Sequence, residues 1–310
     1  MEVKVTNNFV LNPDRYFSPA FRISPFQTQD IHLFSGDTSL DISKDFLRQK
    51  IYSKDFRVAK SGKSAINLAL TALNLSPKDC VTILTTSGNK YIAKCVTDEI
   101  EKFCRWSRGI EKNSAAILVN HEFGYPYRNL RSLKSYNLPI IEDACHSFLS
   151  NSDENNMGLI GDFIIFSLPK IFSIQMGGLI YYDSEKYILD NQAIATEEEY
   201  ILDVLSQQIS SLKYFRSKRL ANYNELVERF KEFNFTPFFK KLEGDVPGVF
   251  LFNTTQGLDI ETMKKFVWQH GIECSIFYGR NAFFLPCHHN LSSQDLEYFT
   301  FIIREFLRQQ

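Results

Sequence analysis

Between residues 64 and 182, short apolar runs alternate with amphipathic stretches, and this alternation constrains the fold more than any other feature of the chain. Val81–Thr85, Ala115–Asn120, Leu138–Ile141, Asp162–Phe166 and Leu179–Tyr182 are apolar on both faces. Strands of that kind belong to a largely parallel sheet covered by helices on both sides. The intervening stretches Ser64–Leu75, Tyr91–Phe103 and Leu130–Tyr136 carry helical spacing, with Ile66, Leu68, Leu70 and Leu73 forming one stripe. A long helical pattern is expected from about Glu198 to Phe233, then a strand at Val249–Asn253 and helices at Ile260–His270 and Ser292–Leu307. Gly271 suits the end of the first of these, and Ser292 or Ser293 the start of the second. Pro13, Pro19 and Pro25 interrupt the N-terminal stretch, so residues 1–55 read as an irregular arm. The expected organisation is a large α/β domain over residues 1–233 and a small C-terminal α/β domain over 234–310.

Composition excludes several classes. A formal net charge of −1 leaves no basic surplus for nucleic acid. The basic group Lys213, Arg216, Lys218 and Arg219 falls within a helical pattern and reads as a solvated helix face. The six cysteines show no CxxC spacing, so they read as reduced thiols of a cytoplasmic protein. Met1–Val5 has no apolar signal core, and no stretch reaches the length of a membrane span. His288-His289 has no third ligand at suitable spacing, so no metal site is expected.

Ligands of parallel sheets bind at the carboxyl ends of the strands. Three sequence features are expected there. Ser61-Gly62-Lys63-Ser64-Ala65 opens a helix, where backbone N–H groups can hold a phosphate, Ser64 can add a hydroxyl and Lys63 a charge. Asp143 ends a strand and could face a cationic ring nitrogen, with His146 three residues on. Lys170 follows the next strand after Ser167 and precedes Gly177-Gly178; desolvation there would free its amine for Schiff-base chemistry. Each has a plainer reading: a capped helix start, an acidic loop, a lysine in a turn. Together they occur in the order phosphate turn, acid, lysine, which a pyridoxal-phosphate (PLP) enzyme of fold type I requires.

These residues resemble the DegT/StrS-type sugar aminotransferases over most of residues 57–310. Ser61–Leu70 is similar to the family's SGTxAL helix start, and His121-Glu122-Phe123-Gly124-Tyr125-Pro126 to its HxxGxP. Pro139–His146 is similar to its P-(V/I)-(I/V)-E-D-A-x-(Q/H), and Gly161–Lys170 with Gly177-Gly178 to its GDxxxFSxxK and downstream GG. The resemblance implies a cytoplasmic homodimer that moves an amino group from an amino acid, glutamate foremost, to a keto sugar attached to a nucleotide. It implies PLP held on Lys170 as a Schiff base, Asp143 at the pyridinium nitrogen and His146 near the ring's 3-oxygen. Ser167 and the backbone from Gly62 to Ser64 would take the phosphate, and Tyr91 would stack on the ring. The chain is trimmed between Tyr91 and Ala115, after Gly178, and between Ile276 and Leu285, and carries Lys63 where the family has Thr. A smaller amino or keto substrate, or a member that binds a ligand or partner without turnover, are the alternatives.

Overall fold

A computed structural model describes residues 19–33, 38–150, 157–189 and 195–310. Pro13, Met1–Val5 and part of the trimmed stretch after Gly178 lie outside the described residues. The chain forms two compact units. One comprises Phe26–Leu212 with Glu243–Val246; the other comprises, among the described residues, 19–25, Lys213–Leu242 and Pro247–Gln310.

The first unit is built on a seven-stranded sheet. In chain order its elements are α1 (Leu40–Lys50), β1 (Asp55–Ala59), α2 (Gly62–Ala72), β2 (Cys80–Thr85), α3 (Lys94–Ile100), β3 (Arg105–Ser107), β4 (Ser114–Asn120), β5 (Ile140–Asp143), β6 (Phe163–Ser167), β7 (Gly178–Tyr182) and α4 (Ala195–Gln208). The strand order is β1-β7-β6-β5-β4-β2-β3. Pairing is parallel from β3 through to β6, whereas β7 runs antiparallel to both β6 and β1. The reversal follows from the short connection over residues 168–177, because a parallel crossover needs a dozen residues or more.

Successive strand residues face opposite sides, and the two faces bury different sets. Ala116, Leu118, Ile141, Phe163, Ile165 and Ile180 pack under Ala65, Ile66, Ala69 and Leu70 of α2 and Val96 and Ile100 of α3. Ile117, Val119 and Ile140 face the other side and meet Leu130 and Leu133. On that side also, the Tyr181 hydroxyl donates to the Leu47 carbonyl of α1 at 2.9 Å.

The second unit carries α5 (Leu212–Phe230), β8 (Thr236–Pro237), β9 (Phe250–Asn253), α6 (Ile260–Gln269), β10 (Ser275–Ile276), β11 (Ala282–Leu285) and α7 (Ser293–Leu307). Its four strands form an antiparallel sheet in the order β10-β11-β9-β8. Phenylalanine dominates its core. Phe230 lies 5.0 Å, centroid to centroid, from both Phe250 and Phe252, edge-on to each, the arrangement that ring quadrupoles favour. Tyr223, Leu226 and Phe230 of α5 belong to this core, which is why that helix packs with the C-terminal elements. Gly271 adopts a positive φ after α6, and Ser292 forms a capping box with Asp295 at the start of α7.

Four local expectations change. The stretch read as irregular contains α1 and the first residue of β1. The sequence misses α1 because its buried face consists of Ser43 and Leu47 alone. The Ser43 N–H donates to Ser206 Oγ of α4 at 3.2 Å, so a polar contact replaces an apolar stripe. The long helix is interrupted by a 3₁₀ turn at Ile209–Ser211, where β-branched and serine residues favour helix poorly. Leu130–Tyr136 is 3₁₀ rather than α, closed by Asn137 at φ 54°. Arg219 is fully buried and donates to the Gly248 carbonyl at 3.0 Å, so it leaves the solvated face.

Candidate active site

Asn120, Asp143, Ser167 and Gly178 share a face of the first unit's sheet, since each is two residues removed from a side chain packed under α2 and α3. That face leads to the N-terminus of α2. Gly178 passes so close beneath it that a Cβ there would lie 2.3 Å from the Ser61 carbonyl oxygen and 2.7 Å from the Gly62 nitrogen. Gly177, at φ 119°, turns the chain into this approach and donates its N–H to the Lys60 carbonyl at 2.8 Å. The Gly177-Gly178 pair therefore fixes where α2 begins.

A capping box closes that start. The Ser64 N–H donates to Ser61 Oγ at 3.1 Å, and the Ser61 N–H to Ser64 Oγ at 2.9 Å. The Ala65 N–H bonds the Ser61 carbonyl, the first turn's own bond. The N–H groups of Gly62 and Lys63 come before it and have no partner within the helix. A Cβ on residue 62 would stand 2.9 Å from Cys145 Sγ and 3.1 Å from Ser167 Cβ. Gly62 is thus packed directly against Cys145 after β5 and Ser167 at the end of β6, which only a residue without a side chain permits, and this junction of the α2 N-terminus with two strand ends forms a cradle. The Lys63 side chain is half-exposed and turned to the buried Glu99, with Nζ 3.3 Å from Oε1. Burial pushes the Glu99 carboxyl up, but hydrogen bonds from Lys102, Asn67 and Lys63 outweigh it and hold the group below its ordinary range.

Asp143 is buried at the end of β5. Its Oδ2 accepts from Asn120 Nδ2 at 2.7 Å and its Oδ1 from the Cys145 N–H at 3.2 Å. The neighbouring Glu142 points to the opposite face and accepts from the Gly158 N–H, the Gly161 N–H and His121 Nε2 at 2.9, 2.6 and 3.1 Å. The Tyr127 N–H donates to His121 Nδ1, so the ring proton resides on Nε2. Two adjacent carboxylates accordingly have separate tasks: Glu142 ties loops beneath the sheet, and Asp143 faces the cradle side.

Lys170 ends a 3₁₀ turn, Leu168–Lys170, directly after β6. The Leu168 N–H donates to the Gly177 carbonyl at 3.1 Å, and Leu168 itself is buried, which anchors the turn. Burial pushes the Cys145 thiol well up, Asp143 adds to the rise, and Lys170 opposes it. The thiol therefore stays protonated between an acid and an amine. On α3 the Cys95 thiol is raised by burial and by Asp143, with Lys170 and Lys63 acting against the rise. This places the first turn of α3 beside the same charges.

Of the residues expected from the sequence, Gly62 and Ser64 lie at the start of α2, Asp143 and Ser167 at the ends of β5 and β6, and Lys170 in the turn after β6. Lys63 borders the cradle with its amine directed to Glu99. His146 tilts against Phe123 with ring centroids 5.8 Å apart. Tyr91 precedes α3 and is 46% exposed. Sequence reasoning missed Asn120 and Cys145. The first was visible only as a strand terminus, since its register with Asp143 is a property of the sheet.

PLP makes three demands: donors for a phosphate, an acid for a pyridinium, and an amine for an aldehyde. The cradle answers the first with the Gly62 and Lys63 N–H groups and the Ser167 hydroxyl. Asp143 fits the second and Lys170 the third.

A family model described as "putative PLP-dependent aminotransferase" matches residues 42–239. An uncharacterised protein of Methanocaldococcus jannaschii is 28% identical over 163 residues, 46% of this chain, and the match spans only 42% of that relative's length. Among solved structures, the aminotransferase TlmJ from Streptoalloteichus hindustanus is 13% identical at a TM-score of 0.72, covering 90% of this chain and 95% of that one. The Helicobacter pylori aminotransferase PseC, involved in the biosynthesis of pseudoaminic acid, is 13% identical at 0.72, covering 94% and 100%. The GDP-4-keto-6-deoxy-D-mannose-3-dehydratase of E. coli, solved with hydrated PLP, is 14% identical at 0.68, covering 92% and 100%. At these identities the solved structures share the fold-type-I architecture with this chain. The family model covers more than half of its length, and the chain belongs to the family of PLP-dependent aminotransferases, with PLP as the family's cofactor.

Proposed function

We propose that this protein moves an amino group from an amino acid, glutamate being the expected donor, to a keto sugar linked to a nucleotide. The observation that carries the reading is the convergence of Lys170, Asp143 and the Gly62–Ser167 cradle at neighbouring strand ends. When bound, PLP supplies an electron sink for charge that develops on the substrate carbon. Lys170 Nζ would hold the cofactor through its aldehyde carbon and, as a free amine, would move a proton at the substrate carbon. Asp143 would offer the ring nitrogen a fixed anion and so favour its protonated form. The Gly62 and Lys63 N–H groups, at the positive end of α2, hold the phosphate with Ser167. His146 would lie near the ring's 3-oxygen and Tyr91 against a ring face. The working form is a cytoplasmic homodimer.

The test is a pair of half-reactions. Glutamate added to the PLP-loaded protein is expected to abolish the cofactor's visible band, and a nucleotide-linked 4-keto sugar to restore it. Retention of the band with every amino acid tried would contradict amino transfer and favour a chain that binds without turnover. A second reading, a smaller keto substrate, is favoured by one observation. The short segment between β2 and β4 is filled by Arg108, which donates to Ile83, Thr85 and Asn89. Restoration of the band by simple keto acids but by no sugar would select that reading.

A further inference from the structure

Asp143 could not serve a ring nitrogen if its carboxylate turned freely or were already neutralised. The chain controls both through a neighbour that the motif does not include. Asn120 ends β4 in direct register with Asp143 at the end of β5. In adjacent parallel strands such residues project to the same face. Its backbone is pinned from two sides: the Asn120 carbonyl accepts the Thr86 N–H at 3.3 Å, and the next residue, His121, donates its N–H to the Asp143 carbonyl at 2.9 Å. From that fixed base Nδ2 reaches Asp143 Oδ2 at 2.7 Å.

We propose that Asn120 is the positioning residue for Asp143, setting the plane of its carboxylate for a protonated ring nitrogen without neutralising it. The inference rests on the reading of Asp143 as the partner of that nitrogen. A carboxylate has about four acceptor sites on two oxygens. Asn120 occupies one site on Oδ2 and the Cys145 N–H one on Oδ1, which fixes rotation about Cβ–Cγ and leaves each oxygen a further site. A lysine or arginine at position 120 would also orient the carboxylate, but its charge would compete with the pyridinium. An amide orients and stays neutral at every working pH. No ammonium or guanidinium pairs with Asp143 among the described residues, so its charge is available to a ligand.

The test compares two probes on the full-length apo chain: PLP, and its analogue with carbon in place of the ring nitrogen. Dissociation constants are measured for the native chain, Asn120→Leu, Asn120→Ala and Asp143→Asn, with apo thermal melts as the check on folding. If Asn120 acts through Asp143 on the nitrogen, Asn120→Leu weakens PLP about tenfold, as loss of one hydrogen bond to a charged group does. The carbon analogue binds within about twofold of native. Asn120→Ala gives the same split should the leucine variant fail to fold. Equal weakening of both probes, or no weakening of either, overturns the proposal. Asp143→Asn separates the levels. If it too leaves the ratio of the two constants at the native value, the reading of Asp143 is at fault. If it collapses the ratio while the Asn120 variants preserve it, the role of Asn120 alone is wrong.

Discussion

Gly62 has an ordinary negative φ, so its requirement is spatial rather than conformational. Alanine at that position would suit the first turn of α2 and improve its helix propensity. Its methyl would instead stand 2.9 Å from Cys145 Sγ and 3.1 Å from Ser167 Cβ, closer than packed side chains approach. Gly62→Ala should therefore force Cys145 and Ser167 away, costing the apo protein about 1–3 kcal/mol of stability, and weaken PLP binding by about tenfold or more. An isotherm of native affinity would place the phosphate elsewhere. Lys50 poses a different question at the same scale. Its Nζ lies 3.9 Å from the Phe148 ring centroid and donates to the Phe148 carbonyl at 2.8 Å, on the face opposite the cradle. Burial pushes its amine down to about 8, with no carboxylate among the described residues to offset it. Below pH 8 both folded and unfolded forms are charged, and the full penalty of enclosing the cation applies. Between pH 8 and the ordinary lysine value, the unfolded chain binds more protons, so stability rises with pH across that window. Lys50→Met should raise stability below pH 8 by about 1–2 kcal/mol and remove this rise, read by urea unfolding at pH 7 and pH 10.

Among elements, the contact between β7 and the start of α2 decides whether a site exists at all. Gly178→Ala would set a methyl against backbone atoms, which no rotamer change relieves. A loss of about 3 kcal/mol or more is expected from equilibrium unfolding; a loss under about 1 kcal/mol would mean that β7 can shift without moving α2. The elements that position the site were legible because their signals are local. Apolar runs such as Ile117–Val119 and Ile164–Phe166 can be read from a few residues, and Asp143 and Lys170 stand directly at the ends of such runs. What escaped depends on partners distant in sequence. α1 is held through Ser43 and Ser206, a contact between two serines 163 positions apart. The pairing of Lys63 with Glu99 and of Asn120 with Asp143 joins residues that only packing and register bring together. The interruption at Ile209–Ser211 left no gap in the apolar spacing, because Ile209 and Leu212 continue it on either side.

The whole molecule assigns its tasks unevenly. One unit carries every residue expected at the cofactor, over the single stretch from Gly62 to Lys170. The other is stabilised by large apolar rings, with Phe230, Phe250, Phe252, Phe266, Phe283 and Phe299 all buried in one cluster. Its buried histidines add no chemistry of their own. His289 stacks on Phe215 at 3.8 Å, and burial together with the nearby Arg219 lowers it to about 2, so it stays neutral. The central claim is that the cofactor's covalent partner is Lys170. Reduction of the PLP-loaded protein with borohydride, digestion and mass spectrometry tests it directly. The expected result is a phosphopyridoxyl group on the peptide containing Lys170, absent from Lys170→Ala. The same label on Lys50 or Lys63 in native protein, or no label on any lysine, would contradict it.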